Sequence, residues 1–176
     1  MKQILIVESS PRGTGSASRS LTQKIRDRLE VQYPDAKIIV RDLTENSLPH
    51  LDRAAVNAMF GLGGDDTGSM QSALRLSNLL TDELLSSDLV VIVSLMWNFA
   101  ILSSLKAWID HIVRPCRTFR YAGEGLPKEK RAILLLSSGK VFSEGPWKVW
   151  DAIESYLRRI LGFIGIKTFR LPVPRV

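Results

Sequence analysis

Three short segments hold most of the side chains in this sequence that can do chemistry. The first, Ser9-Ser10-Pro11-Arg12-Gly13-Thr14-Gly15-Ser16-Ala17-Ser18-Arg19, is crowded with small hydroxyl residues and runs into an apolar-periodic stretch. At a helix start, free N–H groups and the helix dipole favour negative charge, so this segment suits an anion such as a phosphate, with Ser10, Ser16 and Ser18 as added donors. It equally suits a plain Ser/Gly turn in which Ser16 or Ser18 caps a helix. The second segment is Ser94-Leu95-Met96-Trp97-Asn98-Phe99-Ala100-Ile101. An indole can lie along a planar heterocycle, Asn98 offers both donor and acceptor, and loop amides can reach a ring's polar edge; the alternative is that Trp97 and Phe99 are core residues at a helix start. The third is Ser137-Ser138-Gly139-Lys140-Val141-Phe142, where Gly139 permits close backbone approach and Lys140 brings positive charge toward a developing anion. Alone, that third segment is an ordinary strand-to-helix turn.

Other chemistries are excluded by what is missing. The chain has one cysteine, Cys116, and two histidines, His50 and His111, far apart. An internal disulfide, a multi-thiolate metal site and the HExxH type of zinc site all fall away, and no metal is expected. A Walker A loop needs Gly-Lys-Ser/Thr, which is absent; Gly13-x-Gly15-x-x-Ser18 lacks the third glycine of a dinucleotide fingerprint. The longest apolar runs are too short to span a membrane or to form a secretory signal at the start, so a cytoplasmic protein is expected.

The 176 residues, 45% hydrophobic and 24% charged, read as an ordinary globular chain, expected to form a single domain over 1–176. Charge is uneven: 10 basic and 12 acidic side chains lie before residue 106, and 14 basic and 6 acidic from there on. That excess is either a solvated basic face or an attractor for an anionic cofactor or substrate. No nucleic-acid motif or long basic run accompanies it, so nucleic acid is not an expected partner.

Strand and helix patterns alternate. Ile4–Val7, Ile38–Val40, Leu89–Val93, Ala132–Leu136 and Thr168–Val173 read as strands, the central ones with the continuous apolar run of a sheet covered on both faces. Between them lie helical stripes: Leu21, Ile25 and Leu29; a short stretch from Leu51 to Phe60; Leu74 to Leu85; and Leu102 to Ile112, stopped by Pro115. Pro146 is placed to open the last helix, with Trp150, Ile153, Leu157, Ile160 and Leu161 as its apolar face. Gly61 to Gly68 reads as a loop.

Five strands separated by helices give an α/β fold with a doubly wound parallel sheet. Its two common forms are the flavodoxin-like order 2-1-3-4-5 and a Rossmann half with additions, and both bind ligands at the carboxyl ends of the strands. In the first, strands 1, 3 and 4 are neighbours, and these are the strands that the three hydroxyl, aromatic and glycine segments follow.

Taken together, these residues resemble the FMN-dependent NADH-azoreductases of the wider flavodoxin-like NAD(P)H:quinone reductase group. The likeness is carried by Ser9-Ser10, Ser16-Ala17-Ser18, Arg41-Asp42-Leu43, Pro49 to Asp52, Met96-Trp97-Asn98-Phe99, and Leu105-Lys106 with Asp110. It continues through Thr118-Phe119-Arg120-Tyr121, Ser137-x-Gly139 and Leu161 to Ile166, so it runs from residue 3 to about 170. It implies the 2-1-3-4-5 order and FMN contacts at Ser10, Ser16, Ala17, Ser18, Met96, Trp97, Asn98, Phe99, Ser137, Ser138, Gly139, Lys140 and Val141. It also implies a homodimer with flavin near the subunit interface, and ping-pong transfer of two electrons from NADH or NADPH through FMN to a quinone or azo compound.

The sequence departs from that family in three places. Met-Trp-Asn-Phe stands for Met-Tyr-Asn-Phe; Ser137-Ser138-Gly139-Lys140 replaces Ser-Arg-Gly-Gly, with Phe142 where a histidine often follows; and relatives continue into another helix where this sequence stops at Val176. The last difference leads to the expectation of a sheet face short of one helix, with cover by a partner chain or a different dimer as the alternatives.

Flavin chemistry asks little of side chains beyond orientation and tuning. Reduction places negative charge near N1 and O2, and Lys140 with the amides of Gly139 and Val141 is the candidate to stabilise it. Tyr121, Phe142 and Phe163 are candidates for the substrate face, with core packing the alternative for Tyr121 and Phe163. Arg114, Arg117 and Arg120 are either a solvated stripe or an attractor for NAD(P)H phosphates at the same edge. Cys116 reads as a small apolar residue rather than a nucleophile. Two other functions compete: an FMN-binding or regulatory module without turnover, and an NAD(P)-binding Rossmann reductase with Asp42 on a ribose.

Overall fold

The computed structural model describes residues 2–11, 17–62, 67–142 and 144–170, and of Ala17, Ser18, Thr67 and Arg170 the backbone alone. The strands are β1 (Gln3–Glu8), β2 (Lys37–Asp42), β3 (Leu89–Leu95), β4 (Arg131–Ser137) and β5 (Lys167–Arg170). They form one parallel sheet in the order β2-β1-β3-β4-β5. The helices are α1 (Ala17–Gln32), α2 (Arg53–Met59), α3 (Thr67–Ser86), α4 (Ser103–Ile112) and α5 (Ile153–Phe163). The expected order is therefore the observed one. β5 begins one residue earlier than expected, and 171–173, the end of the expected strand, fall outside the described residues.

Alternation along the strands feeds two cores. Leu5, Val7, Val90, Ile92, Ala132 and Leu134 face α3, α4 and α5, where Leu80, Leu84, Trp108, Ile112, Leu157 and Leu161 are buried. Ile4, Ile6, Val91, Val93 and Leu135 face the other way onto Leu29 of α1, with Leu21 and Ile25 packed beside it. Among the described residues α1 is the one helix of that second face. Toward the β4–β5 edge Ile133 is half-buried there, and Phe169, its register partner, is 50% exposed.

The helix starts show where sequence signals competed. Asp52 caps α2, its carboxylate accepting the Ala55 N–H at 2.7 Å. Pro146 does not open α5. Gly145, at φ 73°, and Pro146 make a turn, Lys148–Trp150 form a single 3-10 turn, and α5 begins only at Ile153. Its start is fixed by Asp151, whose carboxylate accepts the N–H groups of Ile153 and Glu154 at 3.2 and 3.4 Å. Asp-x-x-Glu before an apolar run is a capping signature, and it prevails over the proline. Trp150 is consequently 53% exposed and not part of the helix's buried face. Ser18 lies inside α1, which starts at Ala17, so it does not cap that helix; Ser16 falls outside the described residues.

Two links tie distant parts of the chain together. The end of β2 is held to α1 by Arg19–Asp42 at 2.7 Å, while the other oxygen of Asp42 accepts the Thr44 N–H and hydroxyl. Burial pushes the Asp42 carboxyl up, but bonds from Thr44, Arg19 and Glu45 outweigh this and hold it below its ordinary value of 3.8. At the far end of the sheet, the loop after α4 presses on the α5–β5 turn: a Cβ on Gly125 would lie 2.3 Å from the Gly165 nitrogen, and Gly165 itself has φ 90°.

Two outcomes follow. The stability contributed by Asp42 is present above its ordinary value and lost as pH falls through the depressed one. Asp42→Asn should flatten that acid limb in a pH series of denaturant melts, and an unchanged limb would remove Asp42 as its source. Gly125→Ala forces two backbones apart and should cost about 1–3 kcal/mol, by analogy with overpacked cores, read as a lowered urea midpoint at unchanged slope.

Candidate active site

The strand order reverses between β1 and β3, and this brings the carboxyl ends of β1, β3 and β4 side by side. Direct bonds join the three ends. Ser9 donates both its N–H and its hydroxyl to the Val93 carbonyl, at 3.1 and 3.0 Å, and Met96 N–H donates to the Ser137 carbonyl at 2.8 Å. Ser9 and Ser10 are fully buried, and the Ser10 N–H donates to a Glu8 carboxyl oxygen at 2.7 Å. The hydroxyl-rich segment that follows, 12–16, lies outside the described residues, and with it Ser16; the backbones of Ala17 and Ser18 open α1 next to this end.

Beyond β3 the chain makes a tight reversal. Trp97 and Ala100 exchange both N–H···O=C bonds at 3.0 Å, and the residues between them, Asn98 and Phe99, have φ of 47° and 65°. Positive φ at both central positions is the type I′ pattern, which asparagine tolerates and a phenylalanine does not readily adopt. Trp97 is 59% and Phe99 45% exposed, so these are not the core residues of a helix start; α4 begins three residues further on. Met96 is half-buried against the core beneath.

Beyond β4, Ser137 is half-buried, Ser138 donates its hydroxyl to the Lys140 carbonyl at 2.7 Å, and Gly139, Lys140 and Val141 are exposed. Phe142 is buried in a group of rings that bridges the β3 and β4 ends. It lies 6.2 Å from Phe99 and 6.2 Å from Trp147, and Phe99 lies 5.3 Å from Trp150. The Lys140 ammonium sits 4.1 Å from the centre of the Trp147 ring. Trp147 and Trp150 thus join the site without having been singled out for it. The signal that locates them is the Asp151-x-x-Glu154 cap, which ends the loop after both tryptophans.

Tyr121 and Phe163 are not brought to this end. α5 runs back from the carboxyl to the amino side of the sheet, so Phe163 lies just before β5 starts, its ring centre 4.8 Å from that of Phe119 and tilted to it by 52°. Tyr121, 68% exposed, belongs to the same loop as Phe119. Arg114 and Arg117 are at this far end too, which corrects both readings of the arginine repeat. Arg114 is buried and donates to Asn78 at 2.7 Å, while Arg117 pairs with Asp82. Burial, with repulsion from Arg117 beside it, lowers the Arg114 guanidinium from its ordinary value. Only Arg120 is exposed, 3.4 Å from Glu124. Cys116 is not an apolar filler but an exposed turn residue at φ 61°. His111 is buried, its Nε2 3.0 Å from the Pro49 carbonyl.

The donor set fits FMN. A fully buried serine and a helix start stand at one strand end, and two half-exposed aromatic rings with an exposed asparagine stand at the next. A glycine with open space in front of it completes the third end. A Rossmann-type ribose site at Asp42 does not fit, because both its oxygens are taken by Arg19, Thr44 and Glu45.

Comparison with known proteins agrees. An FMN-dependent NADH:quinone oxidoreductase of Beijerinckia indica is 56% identical over 169 residues, covering 94% of this chain and 84% of its own length. A second protein of that description, from Pseudomonas fluorescens, is 43% identical with 94% and 83% covered. Among solved structures, an azoreductase from Bacillus anthracis superposes with a TM-score of 0.86 at 27% identity, covering 97% of this chain and 86% of the other. Residues 2–172 match the Flavodoxin_2 family, described as the flavodoxin-like fold, and the chain belongs to it.

Proposed function

We infer that the protein is an FMN-dependent NAD(P)H oxidoreductase that delivers two electrons to quinones or azo compounds in ping-pong fashion. The observation that carries this is the meeting of the β1, β3 and β4 ends, with the exposed Trp97–Ala100 turn between them. The relatives' names supply the donor and acceptor classes. Bound FMN would supply the redox chemistry, accepting hydride from NAD(P)H and passing both electrons to the acceptor.

The chain's own part is binding and orientation. Ser10, Ser16, Ala17 and Ser18 hold the phosphate with hydroxyl and amide donors at the α1 start. Met96, Trp97, Asn98 and Phe99 present one wall and backbone amides to the ring. Ser137, Ser138, Gly139, Lys140 and Val141 line its polar edge, and Phe142 shields the acceptor side from water. Lys140 tunes the flavin only by leaving the Trp147 face, a short rotation of an exposed side chain.

The protein works as a cytoplasmic homodimer of one domain over 1–176. Support comes from an apolar groove of about 280 Å³ on α2, α4 and α5, lined by Val56, Phe60, Val113, Phe119 and Ile160, with the Lys106–Asp110 ion pair alongside. Tyr121 and the half-exposed Phe163 flank this region, on the far end of their own sheet. They act on substrate by reaching the flavin of the partner subunit. No helix among the described residues is long and apolar enough to cross a membrane.

The purified protein should be yellow, bleach with NADH under anaerobic conditions and recover its colour on addition of a quinone. A colourless protein that refuses FMN overturns the reading; bound FMN that NADH cannot bleach favours the module without turnover. Phe163→Ala should lower kcat/KM for the acceptor roughly threefold to tenfold, the value of one aromatic contact, and leave FMN affinity unchanged. An equal loss of FMN affinity, or a monomer in sedimentation, would remove Phe163 from the partner's site.

A further inference from the structure

The turn after β3 and the loop from β4 to α5 share one exposed aromatic surface. Trp147 is 38%, Trp150 53% and Phe99 45% exposed. They form a connected group, with Phe99 5.3 Å from Trp150 and the buried Phe142 6.2 Å from both Phe99 and Trp147. Backbone bonds fix the two indoles. Gly145, at φ 73°, turns the chain and accepts the Lys148 N–H at 3.2 Å, and the Trp147 carbonyl accepts the Trp150 N–H at 3.0 Å. Indoles held in place at an open surface lose little freedom when a flat ring is laid against them.

The charge beside this surface is Lys140. Its ammonium sits 4.1 Å from the Trp147 ring centre, and the Ser138 hydroxyl, donating to the Lys140 carbonyl at 2.7 Å, ties down the backbone that carries it. Among the described residues no carboxylate, Glu144 included, is ion-paired with that ammonium. The next acids along the chain are committed elsewhere, Asp151 to the N–H groups at the α5 start and Glu154 to Arg158. A ring face attracts a cation without neutralising it, so the charge stays available to an anion. Lys148, on the same loop, is a second exposed cation.

We propose that Lys140 and Trp147 together set acceptor specificity. A flat acceptor of fused or conjugated rings lies against the exposed indoles, and the Lys140 ammonium pairs with a carboxylate or sulfonate at its edge. The inference rests on the FMN reading above, which makes the β3 and β4 ends the acceptor side of the flavin. It adds to that reading a preference for anionic over neutral acceptors of the same shape. The pair is charge-assisted but half-exposed, so it contributes about threefold to tenfold in affinity, between a solvated ion pair and a buried one.

The test is titration calorimetry of the FMN-loaded protein with naphthalene-2-sulfonate and with naphthalene-2-sulfonamide, its uncharged counterpart of similar shape. The sulfonate should bind about threefold to tenfold more tightly and compete with a quinone acceptor. Its lead should vanish between about 0.01 and 1 M salt, as the screening length falls from roughly 30 to 3 Å. Lys140→Met should abolish the lead and Lys140→Arg keep it, while Trp147→Leu should weaken both probes.

Equal affinity for the two probes in the wild type overturns the proposal, as does a lead that survives Lys140→Met, or a sulfonate that binds without competing with the quinone. Probes indifferent to Trp147→Leu overturn it as well. If Lys140→Met fails to fold, the wild-type salt series decides, and a lead that persists at high salt overturns the pairing. A protein that refuses FMN overturns the FMN reading too, whereas one that bleaches with NADH and shows no lead overturns the specificity alone.

Discussion

The reversal of strand order between β1 and β3 is the constraint on which the site depends. β1 is paired on one side with β2 and on the other with β3, so the chains leaving β1 and β3 depart toward opposite faces and leave a crevice between them. The crevice is held to a fixed width by the ladder itself and by Ser9, whose N–H and hydroxyl both end on Val93. A buried serine that satisfies itself on a neighbouring strand keeps its own polar atoms from costing stability and continues the β1–β3 pairing one residue beyond the strand. Met96 does the same toward Ser137. The three segments with chemical promise are thus brought together by backbone bonds, before any side chain contributes.

That explains which features could be read from the sequence. Runs such as Leu89–Val93 are apolar at every position because both faces of a central parallel strand are covered, and this pattern is local. Strand number and the three ligand-facing ends follow from it; the strand order does not, and is implied by the family resemblance. Which end of the sheet a helix-borne residue reaches is not local information. Arg114 is placed near the site by the spacing of its repeat and Phe163 as a candidate for the substrate face, and each lies at the far end because a crossover helix returns to the amino side. Trp147 and Trp150 were obscured for a different reason: Pro146 and Asp151 are both credible helix starts, and the hydrogen bonds accepted by Asp151 decided between them.

Buried polar groups are divided between the two ends in a way that suits their tasks. At the amino end Arg114 meets neutral acceptors, Ser77 and Asn78, and Thr118 knits its own loop by accepting from Arg114 and donating to Ile112. These bonds order a connection that would otherwise have little core of its own. At the carboxyl end the buried groups, Glu8, Ser9, Ser10 and Ser94, sit directly behind exposed ones. Rigid support behind an open surface is what a binding site needs, because a preorganised wall loses little freedom when its ligand arrives.

The Trp97–Ala100 turn gives this argument its energetic side. Two non-glycine residues at positive φ cost roughly 1–3 kcal/mol each, and a phenylalanine there is the more expensive of the two. Nothing in the fold of β3 or α4 requires that cost, since a glycine would make the same reversal more cheaply. What phenylalanine adds is a ring that reaches Phe142 and Trp150 and stays 45% exposed. The contacts with those two rings offset part of the strain and fix the direction of the turn. The exposed remainder is apolar surface held in a strained geometry at the mouth of the crevice, and burial against a flat aromatic ligand is the event that would recover its cost.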